Sequence, residues 1–150
     1  MSENTDLIKL YSGRILALAA DIPHTDRLDS PQASVKRRSP LCGSTVTVDL
    51  SMNGDRISAF GQDVKACALG QAAASVVGGS VIGRTESEVR AAQSQLKAML
   101  KSDGPPPDAP FDELKVLLPA KEFKNRHASI MLALDATVEA MEHVRNANCA

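Results

Sequence analysis

Residues 44–54 read Ser-Thr-Val-Thr-Val-Asp-Leu-Ser-Met-Asn-Gly, and this stretch carries the clearest strand signal in the chain. Apolar and polar side chains alternate along it, so that one face suits a core and the other suits solvent. The apolar set consists of Val46, Val48, Leu50 and Met52. Asn53 and Gly54 then supply the two positive-φ residues that a type I′ turn requires. The stretch therefore predicts one strand of a β-hairpin and the turn that follows it.

Two neighbouring segments extend the hairpin into a small antiparallel sheet of about three strands. Residues 56–64 are predicted as the return strand, although apolar and polar residues alternate less regularly there. Residues 34–38 are predicted as a third strand at the sheet edge, where the charges of Lys36, Arg37 and Arg38 can remain in solvent.

Much of the rest of the chain shows the three- and four-residue apolar spacing of amphipathic helices. Thr85 and Glu88 have the spacing of a capping box at the start of one helix. Gly78-Gly79 is expected to close another helix, and Pro119 to stop a third. The predicted helices span 6–20, 66–77, a segment starting after Thr85, 112–118 and 124–144. This order predicts an α+β fold, with helices packed on one face of the sheet.

A chain of 150 residues fits one domain that can bury a sizeable core. We expect a single domain over residues 1–150, with its core at about 6–145. Residues 146–150 are expected to form a flexible C-terminal tail.

The composition argues against several classes of function. The net charge of −1 gives no general attraction to nucleic acid, and aromatic residues make up only 3% of the chain, too few for a base-stacking surface. No apolar run is long enough to cross a bilayer, and the polar, acidic first residues are unlike a secretory signal. We therefore expect a cytoplasmic protein that binds neither nucleic acid nor membranes.

Three residues at the ends of predicted elements are candidate metal ligands. Cys42 precedes the first hairpin strand, Cys67 lies where the hairpin ends and a helix begins, and His127 lies near the start of the last helix. A helix N-terminus favours the thiolate form of cysteine, and thiolate and imidazole are ligands for zinc and iron. The residues alone leave another reading open, since free cysteines are often core residues and neither CxxC nor HExxH is present.

Several short segments, in one consistent order, resemble the NifU/IscU/SufU family of iron–sulfur cluster scaffolds. The resemblance spans roughly residues 7–145, and the 25-residue interval from Cys42 to Cys67 suits the family. The long stretch between Cys67 and His127 is similar to that of the SufU branch. The matching segments are Leu10-Tyr11-Ser12, the turn Pro40-Leu41-Cys42-Gly43 before an alternating strand, the Asn-Gly hairpin, the small-residue helix 67–75, and residues 124–132.

The resemblance implies a ligand set that this chain has partly lost. Members of the family hold a nascent iron–sulfur cluster, or a zinc ion, with three cysteines and an aspartate. Cys42 and Cys67 match the first two cysteines, and His127 matches the histidine beside the last ligand. Ser44 occupies the position of the aspartate, and Ala128 occupies that of the third cysteine. The expected metal ligands are therefore Cys42, Cys67 and His127, with a fourth position left to water, a partner's group or the tail cysteine at 149.

The resemblance gives three hypotheses for function. The first is an iron–sulfur cluster assembly protein that binds iron, a nascent cluster or zinc through this reduced ligand set. The second is a metal-free interaction or regulatory module that docks on a cysteine desulfurase or another assembly component. The third is a SufU-like, zinc-dependent sulfur acceptor that uses Cys67 or Cys42. The expected partners are a cysteine desulfurase and other assembly proteins, and the oligomeric state is a monomer or small homo-oligomer. We do not expect an enzyme, because no carboxylate at the matched positions is an obvious general base.

Overall fold

The computed structural model describes residues 12–40 and 43–148. It has the predicted α+β architecture, a three-stranded antiparallel sheet with helices against one face. The elements in chain order are α1 (Gly13–Ala20), β1 (Ala33–Arg38), β2 (Thr45–Asn53), β3 (Arg56–Lys65), α2 (Ala68–Ser80), α3 (Glu86–Lys101), two 3₁₀ segments (Asp112–Glu122 and Lys124–Arg126) and α4 (His127–Asn148).

The strand order is β1-β2-β3, and the alternation predicted for β2 sets the two faces of the sheet. On the inner face α4 packs against β1 and β2, while α2 packs against β3. Val35, Val48 and Gln62 lie side by side in register on this face and are buried. The outer face carries the polar partners of the same pairs, because successive strand residues point to opposite sides.

The hairpin turn differs from the prediction by one residue. Asn53 pairs with Arg56, so that the two turn residues are Gly54 and Asp55. Gly54 has a φ of +68°, whereas neither Asn53 nor Asp55 has a positive φ. A positive φ at the first turn residue alone is the type II′ pattern, which favours glycine there. The prediction of a type I′ turn at Asn53-Gly54 is therefore wrong, although the hairpin itself is confirmed.

Helix α1 begins later than the sequence indicates. Ser12 caps it by accepting a hydrogen bond from the Ile15 N–H, and Ile15 and Leu18 are buried. Of the predicted helix over residues 6–20, the part from Gly13 to Ala20 is confirmed, Ser12 itself is not helical, and the part before residue 12 lies outside the described residues.

Helix α2 does not close at Gly78-Gly79 as predicted but continues to Ser80. Gly78 is needed there for space, because an added Cβ would lie 2.5 Å from Nε2 of Gln62 and 3.3 Å from Pro23. Gly79 is exposed and has only Pro23 within 4 Å of such an atom. Gly78 therefore permits a close approach, and the glycine pair does not end the helix.

The C-terminal third also departs from the prediction. Pro119 lies inside the 3₁₀ segment Asp112–Glu122, so the expected stop at residue 118 is wrong. The last α-helix starts at His127 and not at Lys124. Residues 146–148, assigned to the tail from sequence, are helical. In the part of the chain that the structure describes, no helix is both long and apolar enough to cross a bilayer.

The outer face of the sheet is half covered by the loop of residues 24–32. The loop packs closely over β3, because a Cβ on Gly61 would lie 2.5 Å from the backbone oxygen of Asp26. It is anchored by Asp49, whose carboxylate accepts hydrogen bonds from the Arg27 guanidinium and the Leu28 N–H. The other half of this face, towards Arg38 and Lys65, remains exposed.

The predicted capping box of α3 is confirmed. The Thr85 hydroxyl accepts from the Glu88 N–H at 3.3 Å, and the Glu88 carboxylate accepts from the Thr85 N–H at 3.1 Å.

Thr85→Ala removes one half of this reciprocal pair and is expected to lower the free energy of unfolding by about 1 kcal/mol. Ser87→Ala is the matched control, because Ser87 is exposed in the first turn of the same helix and takes no part in the cap. Urea unfolding measures both variants. Equal losses in the two would contradict the assigned cap.

Candidate functional site

Cys67 lies at the junction of β3 and α2, where it is the N-cap residue of the helix. Its side chain makes no capping hydrogen bond, and the residue is half-buried. The predicted position at a helix N-terminus is therefore confirmed. Backbone N–H groups of the first turn face the sulfur, as expected where a helix has unpaired donors.

A chain of short polar contacts connects Cys67 with the start of β2. The Cys67 sulfur lies 3.6 Å from the Ser129 hydroxyl oxygen, which in turn lies 3.1 Å from the Ser44 hydroxyl oxygen. Ser44 and Ser129 are both buried. The contacts bring α2, α4 and the segment before β2 together at one point. Cys42, the other thiol expected at this site, lies outside the described residues.

The environment of Cys67 favours its thiolate. Burial raises the pKa of the thiol, but the nearby N–H groups of Gly70 and Leu69, the Ser129 hydroxyl and the positive charge of Arg126 lower it. The lowering contributions together outweigh burial, and the pKa lies below its ordinary value. A half-buried thiol of this kind is suited to binding a metal ion or accepting sulfur.

His127 is 3% exposed at the start of α4, in agreement with the prediction that it projects towards the packed side. Its Nε2 lies 2.9 Å from the backbone oxygen of Ala120. A carbonyl oxygen only accepts, so Nε2 carries the proton, and in the neutral ring Nδ1 has the free lone pair. Metal-binding histidines commonly donate their second ring N–H to a carbonyl in this way, which fixes the ring.

Ala128, at the position matching the family's third cysteine, is half-buried beside a groove of about 440 Å³ between α3 and α4. Lys97 and Met131 also line this groove. The next residue, Ser129, is the one that contacts Cys67. Ser129 was not singled out from the sequence, although a small polar residue just before the apolar run Ile130–Leu134 is a usable signal of close helix contact.

Within residues 12–40 and 43–148, no group of three or more His, Cys, Asp or Glu side chains is placed to hold a metal ion. The donors described here are one thiol, one imidazole and two neutral hydroxyls. Serine hydroxyls are poor ligands unless deprotonated, and iron–sulfur clusters are held mainly by thiolates. The described residues thus fit part of a metal site, and the predicted three-ligand set with Cys42 stays a prediction.

Comparison with known proteins adds evidence on lineage. No protein-family model matches the chain, and no curated protein matches it. Among solved structures, a putative iron–sulfur cluster assembly scaffold protein for the SUF system from the thermophile Fervidobacterium islandicum AW-1 has a TM-score of 0.80 at 18% identity, covering 89% of this chain and 98% of that chain. A hypothetical protein solved at 2.3 Å has a TM-score of 0.80 at 22% identity, covering 90% and 98%. These two likenesses show the shared fold alone.

A third structure is more similar in sequence. The crystal structure of a nitrogen-fixing NifU-like protein (N-terminal) from Brucella abortus has a TM-score of 0.92 and is 40% identical, covering 94% of this chain and 98% of that chain. Identity at this level over nearly the full length of both chains reflects common descent together with a common fold. The chain therefore belongs to the NifU-like N-terminal protein family.

Proposed function

We propose that this protein acts in iron–sulfur cluster assembly and that its cargo, an iron ion, a nascent cluster or zinc, binds at Cys67. The observation that carries the proposal is the half-buried thiol of Cys67 at the N-terminus of α2, 3.6 Å from the Ser129 hydroxyl, in a chain 40% identical to a NifU-like protein. The solved structures with this fold also include a putative SUF-system scaffold. A cysteine desulfurase is the proposed sulfur donor, and the cytoplasm is the proposed location.

The proposed ligands are the thiolates of Cys67 and Cys42 and the Nδ1 atom of His127. The hydrogen bond from His127 to Ala120 supports this role, because it leaves Nδ1 as the available nitrogen. Ser44, two positions after Cys42, is linked through Ser129 to Cys67, which supports a common location for the two thiols. A three-ligand site leaves a fourth position open for a partner's group or for water.

Anaerobic purification, followed by reconstitution with iron and sulfide, tests the proposal. Iron, sulfide and zinc are measured per chain in the wild type and in Cys67→Ser. We expect bound metal in the wild type and at least a roughly tenfold loss in the variant, because the principal thiolate is removed. Ser58→Ala, a small change at an exposed site on β3, is the control and should keep the wild-type content. Wild-type protein without any of the three elements above background would refute metal or cluster binding.

A second candidate is a metal-free module that docks on a desulfurase or another assembly component. The observation that favours it is the incomplete donor set, with Ser44 and Ala128 at the positions of two family ligands. A pull-down with the desulfurase separates the two functions. Retention of the partner by a Cys42→Ser/Cys67→Ser variant supports the module, whereas loss of the partner supports a ligand-dependent assembly protein.

The third candidate is sulfur transfer without cluster assembly, and the half-buried thiol of Cys67 at a helix N-terminus, where its pKa is lowered, supports it. In this case the Cys67 thiolate attacks the outer sulfur of a desulfurase persulfide and the desulfurase thiolate leaves. Mass spectrometry after exposure to a desulfurase and cysteine would detect a gain of one sulfur on the peptide containing Cys67. Absence of this gain on Cys67 and on Cys42 would exclude sulfur transfer.

A further inference from the structure

The exposed half of the outer sheet face ends in a row of basic side chains. Arg38 on β1 and Lys65 on β3 flank Thr45 on β2 in direct register, so that all three project from the same face. Lys36 precedes Arg38 by two residues and shares this face, opposite Thr47. Lys36, Arg38 and Lys65 are exposed.

These charges are not compensated within the part of the chain that the structure describes. No ion pair there involves Lys36, Arg38 or Lys65. The neighbouring Arg37 is different, because it points to the inner side of the edge strand and binds Glu139 of α4 at 2.6 Å. The described strand residues on this half of the outer face include one carboxylate, Asp63, which lies opposite Thr47. The face therefore has an excess of positive charge, in a chain whose net charge is −1.

The basic row lies next to the candidate site. Lys65 precedes Cys67 by two residues, and Nη2 of Arg38 would lie 3.8 Å from a Cβ on Gly43, the neighbour of Ser44. Arg126 lies close enough to Cys67 for its charge to stabilise the thiolate. Arg38, Lys65 and Arg126 thus lie beside the Cys67–Ser129–Ser44 contacts, and Lys36 extends the row of charges along β1. These four residues are called the basic collar.

We propose that this basic collar is a docking surface for a carboxylate-rich surface of a partner protein, which covers Cys67 when it binds. The inference rests on the proposed function, since it describes how a protein that exchanges cargo with Cys67 is recognised. Unpaired charges of one sign attract a surface of the opposite sign and orient it over the site. A protein partner is favoured over nucleic acid because none of the described Phe rings is exposed for base stacking: Phe60 and Phe111 are buried, and Phe123 is half-buried against the core.

Fluorescence anisotropy with a fluorescein-labelled peptide of about ten glutamates tests the collar at about 50 mM salt, where exposed charges interact over longer distances. We expect Arg38→Glu/Lys65→Glu to weaken peptide affinity at least tenfold. Lys97→Glu/Lys115→Glu makes the same charge change at two exposed sites outside the collar and should stay within about twofold of the wild type. If thermal unfolding shows that the charge-reversal variant Arg38→Glu/Lys65→Glu does not fold, Arg38→Gln/Lys65→Gln is used in its place.

Saturating peptide is also expected to slow alkylation of Cys67, measured by mass spectrometry of its peptide. The inference is overturned if the wild type does not bind the peptide, if the two double variants lose equal affinity, or if Cys67 is not protected. The inference is also overturned if an oligothymidine with the same charge as the peptide binds more tightly than the peptide. Complete displacement of the peptide by inorganic phosphate that supplies the same total charge would overturn it as well. The reversal variant should keep the iron and sulfide content of the reconstituted wild type, so that loss of docking is distinguishable from loss of the proposed function.

Discussion

Replacement of Asp49 by alanine is expected to lower the free energy of unfolding by about 3 kcal/mol. The carboxylate is fully buried on the outer face of β2 and accepts four hydrogen bonds. Arg27 donates from Nε at 2.5 Å and from Nη2 at 3.0 Å, the Ser34 hydroxyl donates at 2.6 Å and the Leu28 N–H at 3.1 Å. The expected loss is below that of a fully buried ion pair, because the Arg27 side chain is 53% exposed and regains water.

Urea unfolding measures this loss, and Asp63→Ala is the matched control. Asp63, on β3, lies on the same outer face of the sheet as Asp49 and is half-buried. Its side chain takes part in no hydrogen bond to a residue that the structure describes. Its replacement should change stability by less than about 0.5 kcal/mol. Trypsin adds a local measurement, since cleavage after Arg27 should be faster in Asp49→Ala, where the loop of residues 24–32 loses its anchor. Equal stability of the two variants would contradict the role assigned to Asp49.

The stabilisation from Asp49 is also expected to depend on pH. Burial raises the pKa of its carboxyl, but hydrogen bonds from Arg27, Ser34 and the Leu28 N–H, with the charge of Arg27, lower it below the ordinary value of 3.8. A group whose pKa is lower in the folded state stabilises the protein fully above its unfolded pKa. The stabilisation decreases as the pH falls below about 4 and through the folded pKa.

The difference in unfolding free energy between the wild type and Asp49→Asn isolates this effect from other carboxylates with lowered pKa values, such as Glu88. The difference should be constant from about pH 6 to pH 8 and shrink below about pH 4. A difference that stays constant down to about pH 2 would show that ionisation of Asp49 contributes nothing.

The sheet and the helix order were predictable because local patterns and long-range packing favour the same structure. In β2 the alternation of Val46, Val48 and Leu50 with polar residues agrees with a face buried under α4. The capping box at Thr85 is likewise determined by four consecutive residues. Such features depend on side chains close together in sequence, so a single chain contains the information that specifies them.

The predictions that the structure contradicts concern features that depend on contacts between residues far apart in sequence. Gly78 has the sequence signature of a helix end, but the helix continues to Ser80, and a glycine is needed there because Pro23 and Gln62 occupy the space of a Cβ. Asp49 is read from the alternation as solvent-facing, yet the loop that carries Arg27 buries it. In the candidate site, the start of α2 at Cys67 was foreseen from helix signals, whereas the contact with Ser129 joins residues 62 positions apart. No local pattern encodes that contact.

Gly70→Ala is expected to destabilise the protein by about 2 kcal/mol, although alanine is the better helix former by about 1 kcal/mol. Gly70 lies in the first turn of α2 against α4. An added Cβ would be 2.6 Å from the Ser129 hydroxyl, 2.9 Å from the Ala66 Cβ and 3.2 Å from the Ser129 backbone oxygen. The hydroxyl can rotate away, but it then loses its contacts with Cys67 and Ser44. The Ala66 contact is relieved only by a backbone shift.

Gly79→Ala is the matched control in the same helix, because its Cβ would meet only Pro23, at 3.9 Å. This variant should be as stable as the wild type or more stable by up to about 1 kcal/mol. In Gly70→Ala, loss of the Ser129 hydrogen bond should also raise the pKa of the Cys67 thiol. This pKa is obtained from the pH dependence of alkylation, followed by mass spectrometry of the peptide that contains Cys67. Ser129→Ala removes the hydroxyl without crowding the helices, so it should raise the pKa in the same direction at a smaller cost in stability. If Gly70→Ala were as stable as Gly79→Ala and left the alkylation profile unchanged, the close approach of α2 and α4 would not control the thiol.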